Sequence, residues 1–119
     1  NLLVSKTEFD RKDFENPYWK ENFSLNPKGS IAYKLALVSA AKADLVISVK
    51  PKSEWDICAG VALVLASGGR SLVLGDLTEH EFNAKSLNQN GIISGNKTLV
   101  DFLVQRDSEF LKSSFRPRT

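Results

Sequence analysis

The stretch KSEWDICAGVALVLASGG, residues 52–69, joins a charged, aromatic opening to an apolar run of helix length. Two kinds of chemistry fit its aspartate, Asp56. One is capping. Ser53-Glu54-Trp55-Asp56 matches the S-x-x-[DE] box that precedes an apolar helix, with Ser53 as the cap, and acidic groups in a first turn favour the helix dipole by about 0.3–1 kcal/mol. The other is metal ligation. In open α/β sheets, ligands bind beyond the carboxyl ends of strands, beside helix N-termini. Residues 50–56 follow a strand-like run and should lie at such a place. A carboxylate next to a phosphate there creates a charge conflict that a divalent cation resolves. Magnesium takes few carboxylates and completes its shell with substrate oxygens, which is the equipment of phosphoryl chemistry. The readings are compatible: Ser53 can cap while Asp56 turns one oxygen outward.

The elements that must position these residues are legible on either side. Leu2 to Thr7 reads as a short strand. The polar segment Glu8 to Lys28 carries turn signals at Asn16-Pro17 and Asn26-Pro27, with a short helix around Asp13 to Asn22. IAYKLALVSAAKA has apolar residues at Ile31, Leu35, Val38 and Ala41, at helical spacing, and Ser30 can cap it. DLVISV, from Asp44 to Val49, has strand length and β-rich composition. The apolar helix stops at Gly68-Gly69. SLVLG and GIISG are two further strands around a polar excursion from Asp76 to Gln89. Asn96 caps a last helix with Leu99, Phe102, Leu103 and Phe110 on one side. Alternating helices and strands with short links predict a layered α/β/α sandwich with a predominantly parallel sheet. A helix apolar on all faces is expected between layers. Residues 1–112 are expected to form the domain and 113–119 a flexible tail.

The totals bound the function. A chain of 119 residues is one domain with a single core. A net charge of +2 is too small to argue for a nucleic acid polymer or an acidic membrane surface. No stretch has the roughly 18 apolar residues of a membrane span, and no signal-peptide pattern opens the chain. The lone Cys58 excludes an internal disulfide and fits a reducing compartment, so a cytoplasmic protein is expected. The sequence begins at Asn1 and enters a strand at once, as if cut from something longer.

Residues 54–69, EWDICAGVALVLASGG, resemble the second signature of the inositol monophosphatase family: Trp-Asp, small-small-Gly, an apolar run and a closing Gly-Gly. GSIAYKLALVSAAKADLVIS, residues 29–48, resembles the segment that precedes it there, and the order and gap of the two blocks agree. The likeness covers about Val4 to Gln105. It implies a magnesium-dependent phosphate monoesterase, with inositol monophosphate or a 3'(2'),5'-bisphosphate nucleotide as substrate. It assigns Asp56 as a metal ligand and Gly29 and Ser30 as substrate contacts. Trp55 would pack behind Asp56 and hold its rotamer, as a metal ligand requires. The family's first signature, Asp-Pro-[Ile/Leu]-Asp-Gly-Thr, is absent, as is its upstream Glu-Glu, so the resemblance is to the C-terminal half of such an enzyme. The implied partners are a small phosphorylated substrate and the N-terminal half of the same protein. The isolated chain would be inactive, with an apolar face inviting self-association. The rival expectation is a non-catalytic α/β module that binds an anion or a partner, in which Asp56 only caps.

Inositol-specific members of that family place an acid seven positions before the Asp of Trp-Asp; here that position is Val49, flanked by Lys50 and Lys52. The lysines either meet a second phosphate or are solvated surface charges. Tyr18 and Trp19 are expected to anchor a loop on the core. His80 reads as surface, Cys58 as a small packed group, and Lys34 as a solvated residue on the polar side of its helix.

Overall fold

In the computed structural model of the chain, residues 2–50, 52–80, 88–89 and 91–115 are described, with the backbone alone at 52–56 and 88–89. The elements run β1 (Leu2–Ser5), α1 (Lys6–Asp10), α2 (Pro17–Asn22), β2 (Leu25–Lys28), α3 (Ile31–Ser39), β3 (Leu45–Ser48), β4 (Lys52–Ser53), α4 (Glu54–Ala66), β5 (Arg70–Val73), β6 (Thr78–Glu79), β7 (Asn88–Gln89), β8 (Ile92–Gly95) and α5 (Lys97–Ser114). Among the described residues, six strands form one sheet in the order β2-β1-β3-β8-β5-β6, and β4 pairs with β7 apart from it.

Side chains leave a strand on alternate faces, and here both faces are apolar. Leu2, Val4, Leu45, Ile47, Leu72 and Ile93 point to one side, where they meet Trp19, Val100, Leu103 and Leu111. Leu3, Val46 and Ile92 point to the other, against Leu35, Val38, Ile57, Val61 and Val64. The sheet therefore lies between α2 and α5 on one face and α3 and α4 on the other, the expected α/β/α layering. The expected parallel character holds for one half only. β2-β1-β3 are mutually parallel, while β8 enters antiparallel between β3 and β5, and β6 is antiparallel to β5. Local sequence pattern carries burial but not strand direction, which the connections decide.

Four further expectations change. Asn26-Pro27, read as a turn, belongs to β2. That strand is at the sheet's edge, where a proline with no N–H to donate is tolerated. α3 ends at Ser39, short of Ala43. Ala41 takes φ 59°, and the N–H of Lys42 closes back on the Leu37 carbonyl at 2.8 Å, a Schellman-type stop built without glycine. α4 stops in the same way with Gly68 at φ 89°. α4 is not enclosed within this chain: Ile57, Gly60, Val61 and Val64 are buried, whereas Cys58, Ala59, Ala62, Leu63, Leu65 and Ala66 are exposed. α5 continues to Ser114, which is buried, so its last turn uses residues expected in the tail; residues 116–119 lie outside the described ones.

The aromatic anchor behaves as expected. Trp19 is fully buried and meets Phe14 and Phe110 edge-on. The Tyr18 hydroxyl donates to Asp107 Oδ2 at 2.8 Å, at a point where α5 kinks (Asp107 φ −125°). Arg106 Nε donates to the same carboxylate at 2.8 Å. Burial, and then the hydrogen bond to Asp107, push the Tyr18 phenol up to about 12. The Arg106 guanidinium is the main cause holding Asp107 below the usual carboxylate range. Phe102, expected on the core side of α5, is exposed with the Arg106 guanidinium 5.0 Å above its ring.

Candidate functional site

Because β2, β1 and β3 run the same way in matched register, with Ser5 opposite Lys28 and Val4 opposite Ile47, their carboxyl ends open on one edge of the sheet. The chain leaves each strand there into a segment of interest. β2 is followed by Gly29-Ser30 and α3. β3 is followed by Val49, Lys50, β4 and the first turn of α4. β1 is followed by α1. Gly29, Ser30, Lys50 and the backbone of 52–56 thus share one edge, the location where open α/β sheets take ligands.

Gly29 and Ser30 are exposed. Ser30 caps α3, its hydroxyl accepting from the N–H of Tyr33 at 3.3 Å. It does so at φ 58°, a region costly for a residue with a Cβ. Lys50 is half-buried at the end of β3. Val49, where a sugar-binding acid could have stood, is fully buried in the core. The side chains of Asp56, Trp55, Ser53 and Lys52 lie outside the described residues, and with them the capping box at α4.

The same edge holds two buried ionisable groups. Glu8, in the first turn of α1, is 2% exposed; its carboxylate accepts from Ser48 Oγ at 2.5 Å and from the N–H of Val49 at 2.8 Å. The available signal was Ser5-x-x-Glu8 directly after a strand, another capping pattern; the Ser5 hydroxyl does accept from Glu8 N at 3.4 Å. Lys34, expected in solvent, is also 2% exposed, and its Nζ donates to the carbonyl of Lys28 at 3.1 Å, tying α3 to the end of β2. The expected face holds at Leu35 and Val38, which are buried, while Ala41 is exposed and Lys34 joins the buried side. A lysine can follow the apolar positions inward when its stem packs and its ammonium finds an acceptor.

Elsewhere, His80 is half-buried and its Nε2 lies 2.9 Å from Ser71 Oγ. Cys58 is exposed, not packed. Among the described residues no group of three or more His, Cys, Asp or Glu side chains could hold a metal ion. A cavity of about 190 Å³ lies at the opposite edge of the sheet, lined by Ser39, Asp44, Gly68 and Asn96 among others, and includes none of the expected site residues.

The architecture defines a layered α/β domain whose loops of interest gather at the carboxyl ends of its parallel strands. The sequence profile of the inositol monophosphatase family matches residues 3–109, and the chain belongs to that family, whose members are phosphatases. Its fold is similar to that of CysQ from Bacteroides thetaiotaomicron, a bacterial member of the same family, with 28% identity and a TM-score of 0.62 over 81% of this chain and 37% of that one. It is similar to an IMPase from Thermotoga maritima, with 25% identity and a TM-score of 0.66 over 95% and 41%. An inositol monophosphatase-II from Staphylococcus aureus shares the fold, with a TM-score of 0.74 over 96% and 43%, at 16% identity. The chain thus spans less than half the length of each of these solved structures. Comparison with curated protein sequences gives no match. No described helix is long and apolar enough to cross a membrane.

Proposed function

We propose that this chain is the C-terminal half of a magnesium-dependent phosphate monoester hydrolase, acting in the cytoplasm on inositol monophosphate or a bisphosphate nucleotide. The observation that carries the reading is the convergence of Gly29-Ser30, Lys50 and the first turn of α4 on one sheet edge, in a chain of this family. Asp56 would be one oxygen ligand of the ion. A single carboxylate accords with magnesium's habit of taking few protein ligands, and the remaining ligands would come from the N-terminal half. Bound there, magnesium supplies charge neutralisation on the phosphoryl oxygens and an activated water. Gly29 and Ser30 would line the phosphate side of the pocket, with the strained Ser30 turn holding the backbone close to the substrate. Trp55 and Ser53 would fix the direction of Asp56. Lys50 and Lys52 would meet a second anionic group, which favours the bisphosphate nucleotide.

The N-terminal half of the same protein is also the proposed cover for the open side of α4. Leu63 and Leu65 are each 53% exposed beside Ala59, Ala62 and Ala66. This adjoining apolar surface supports the reading of an interaction site there, and without its cover the chain should associate with copies of itself.

The experiment is Asp56→Asn in the full-length protein. Asn keeps the shape and much of the capping ability but loses the charge. Turnover is expected to fall by about 100-fold or more, as loss of metal-site groups does, with an unchanged circular dichroism spectrum. Near-normal turnover would refute the ligand role, leaving Asp56 as a cap.

A further inference from the structure

We propose that Glu8 is a positioning residue for the segment that leads from β3 to Asp56. The inference rests on the phosphatase reading for its effect on turnover, and on geometry alone for its effect on the segment. Glu8 is far from both motif blocks in sequence, yet its two carboxylate oxygens close on consecutive residues of one strand end: Oε2 on Ser48 Oγ at 2.5 Å and Oε1 on Val49 N at 2.8 Å. Both bonds are buried, with Glu8 2% exposed and Ser48 and Val49 fully buried. A carboxylate is taken out of water only where hydrogen bonds compensate it, and charge-assisted bonds of this length are the strong kind. β3 ends at Ser48, so Val49 is the first residue past the regular strand. The chain must turn there to bring Lys50, and six residues later Asp56, to the ligand edge. Glu8 is itself held by a short helix whose cap, Ser5, is the last residue of the neighbouring strand β1. The carboxylate therefore fixes the exit of β3 relative to the exit of β1, and through it the start of the segment that leads to α4.

The test uses Glu8→Ala, Glu8→Gln and Ser48→Ala, with Leu111→Ala as a comparison that removes core packing but neither of the Glu8 hydrogen bonds. Amide hydrogen exchange is followed at Val49, Lys50 and Lys52, and kcat and KM are measured in the full-length protein. Glu8→Ala is expected to speed exchange at these amides at least tenfold and to lower kcat/KM at least tenfold. Glu8→Gln keeps an acceptor for Val49 N and should stay within about threefold of wild type. Ser48→Ala should add little in the Glu8→Ala background, because the two act through one contact. Leu111→Ala should lower the melting temperature without singling out those amides. Unchanged exchange at Val49 to Lys52 in Glu8→Ala would overturn the proposal. So would Glu8→Gln as damaging as Glu8→Ala, since that would mean the charge itself meets the substrate or metal. A wild-type protein with no turnover would remove the phosphatase reading alone; the exchange experiment would still decide the role of Glu8 in holding the segment.

Discussion

Gly60 of α4 packs tightly against Leu35 of α3, and its replacement sets two opposing effects against each other. A Cβ placed there would stand 2.6 Å from Leu35 Cδ1, 2.8 Å from Leu35 Cβ and 3.2 Å from Leu35 Cγ. Ordinary carbon contacts are about 3.5–4.0 Å. Cδ1 can swing aside, but Cβ moves only with the backbone of α3, and Leu35 is already fully buried. Removing a glycine from a helix interior stabilises by about 1 kcal/mol, while overpacking costs about 1–3 kcal/mol. The overpacking should win. Gly60→Ala is expected to lose about 1 kcal/mol and Gly60→Val about 3 kcal/mol, which is ~4 °C and ~12 °C in Tm for a chain of this size. The assay is chemical and thermal denaturation, run with Leu35→Ala and the double variant. Leu35→Ala alone should cost about 2–5 kcal/mol. Leu35→Ala with Gly60→Val should lose at least about 1 kcal/mol less than the sum, because each relieves the other. Both helices begin at the ligand edge, so splaying them also separates Ser30 from the first turn of α4. Activity should fall by up to about 100-fold for a shift near an ångström. A Gly60→Ala variant more stable than wild type, or strictly additive losses, would refute the close-packing argument.

Three other outcomes are expected. The Tyr18 phenol is held up to about 12 against an ordinary 10.0. Above pH 10 the unfolded chain loses this proton first, so Tyr18 contributes stability below pH 10 that fades as pH rises towards 12. Tyr18→Phe should cost about 1 kcal/mol at neutral pH and show a shallower alkaline decline in Tm than wild type; parallel declines would remove Tyr18 as the cause. Double replacement of Lys50 and Lys52 by Ala in the full-length protein should raise KM for a bisphosphate nucleotide far more than for inositol monophosphate, and equal effects would return both lysines to the solvated surface. The chain alone, purified and showing a cooperative melt, should release no phosphate from either substrate at saturating magnesium, because one carboxylate cannot hold the ion against its water shell; metal-dependent turnover surviving repurification would mean the site is complete within these residues.

Short-range chemistry made much of this fold readable. Ser30 and Asn96 cap the helices they precede, and Gly68 ends α4, because caps depend on residues a few positions apart. The strands β3, β5 and β8 are compact apolar runs and were legible for that reason. What was hidden depends on neighbours distant in sequence. The Asn26-Pro27 pair reads as a turn until β1 is known to lie beside it on an edge. Lys34 looks solvated until the Lys28 carbonyl is in reach. The exposed side of α4 is apolar like its buried side, so only the fold tells them apart. At the candidate site, the motif residues were legible as a pattern of residue types, whereas Glu8 was not, since its partners lie 40 and 41 residues further along.

The place of β8 has a consequence for how the protein is made. It is the last strand among the described residues, yet it sits between β3 and β5 and bonds to both. A ribosome delivers the chain from its N-terminus at roughly 5–20 residues per second. Until residues 92–95 have emerged, β2-β1-β3 and β5-β6 remain two unjoined ribbons, each with an open apolar edge. Such edges recruit strands from other chains. A chain that is released just short of Ile92 is therefore a seed for aggregation, while the residues of β8 let the two ribbons close into one sheet.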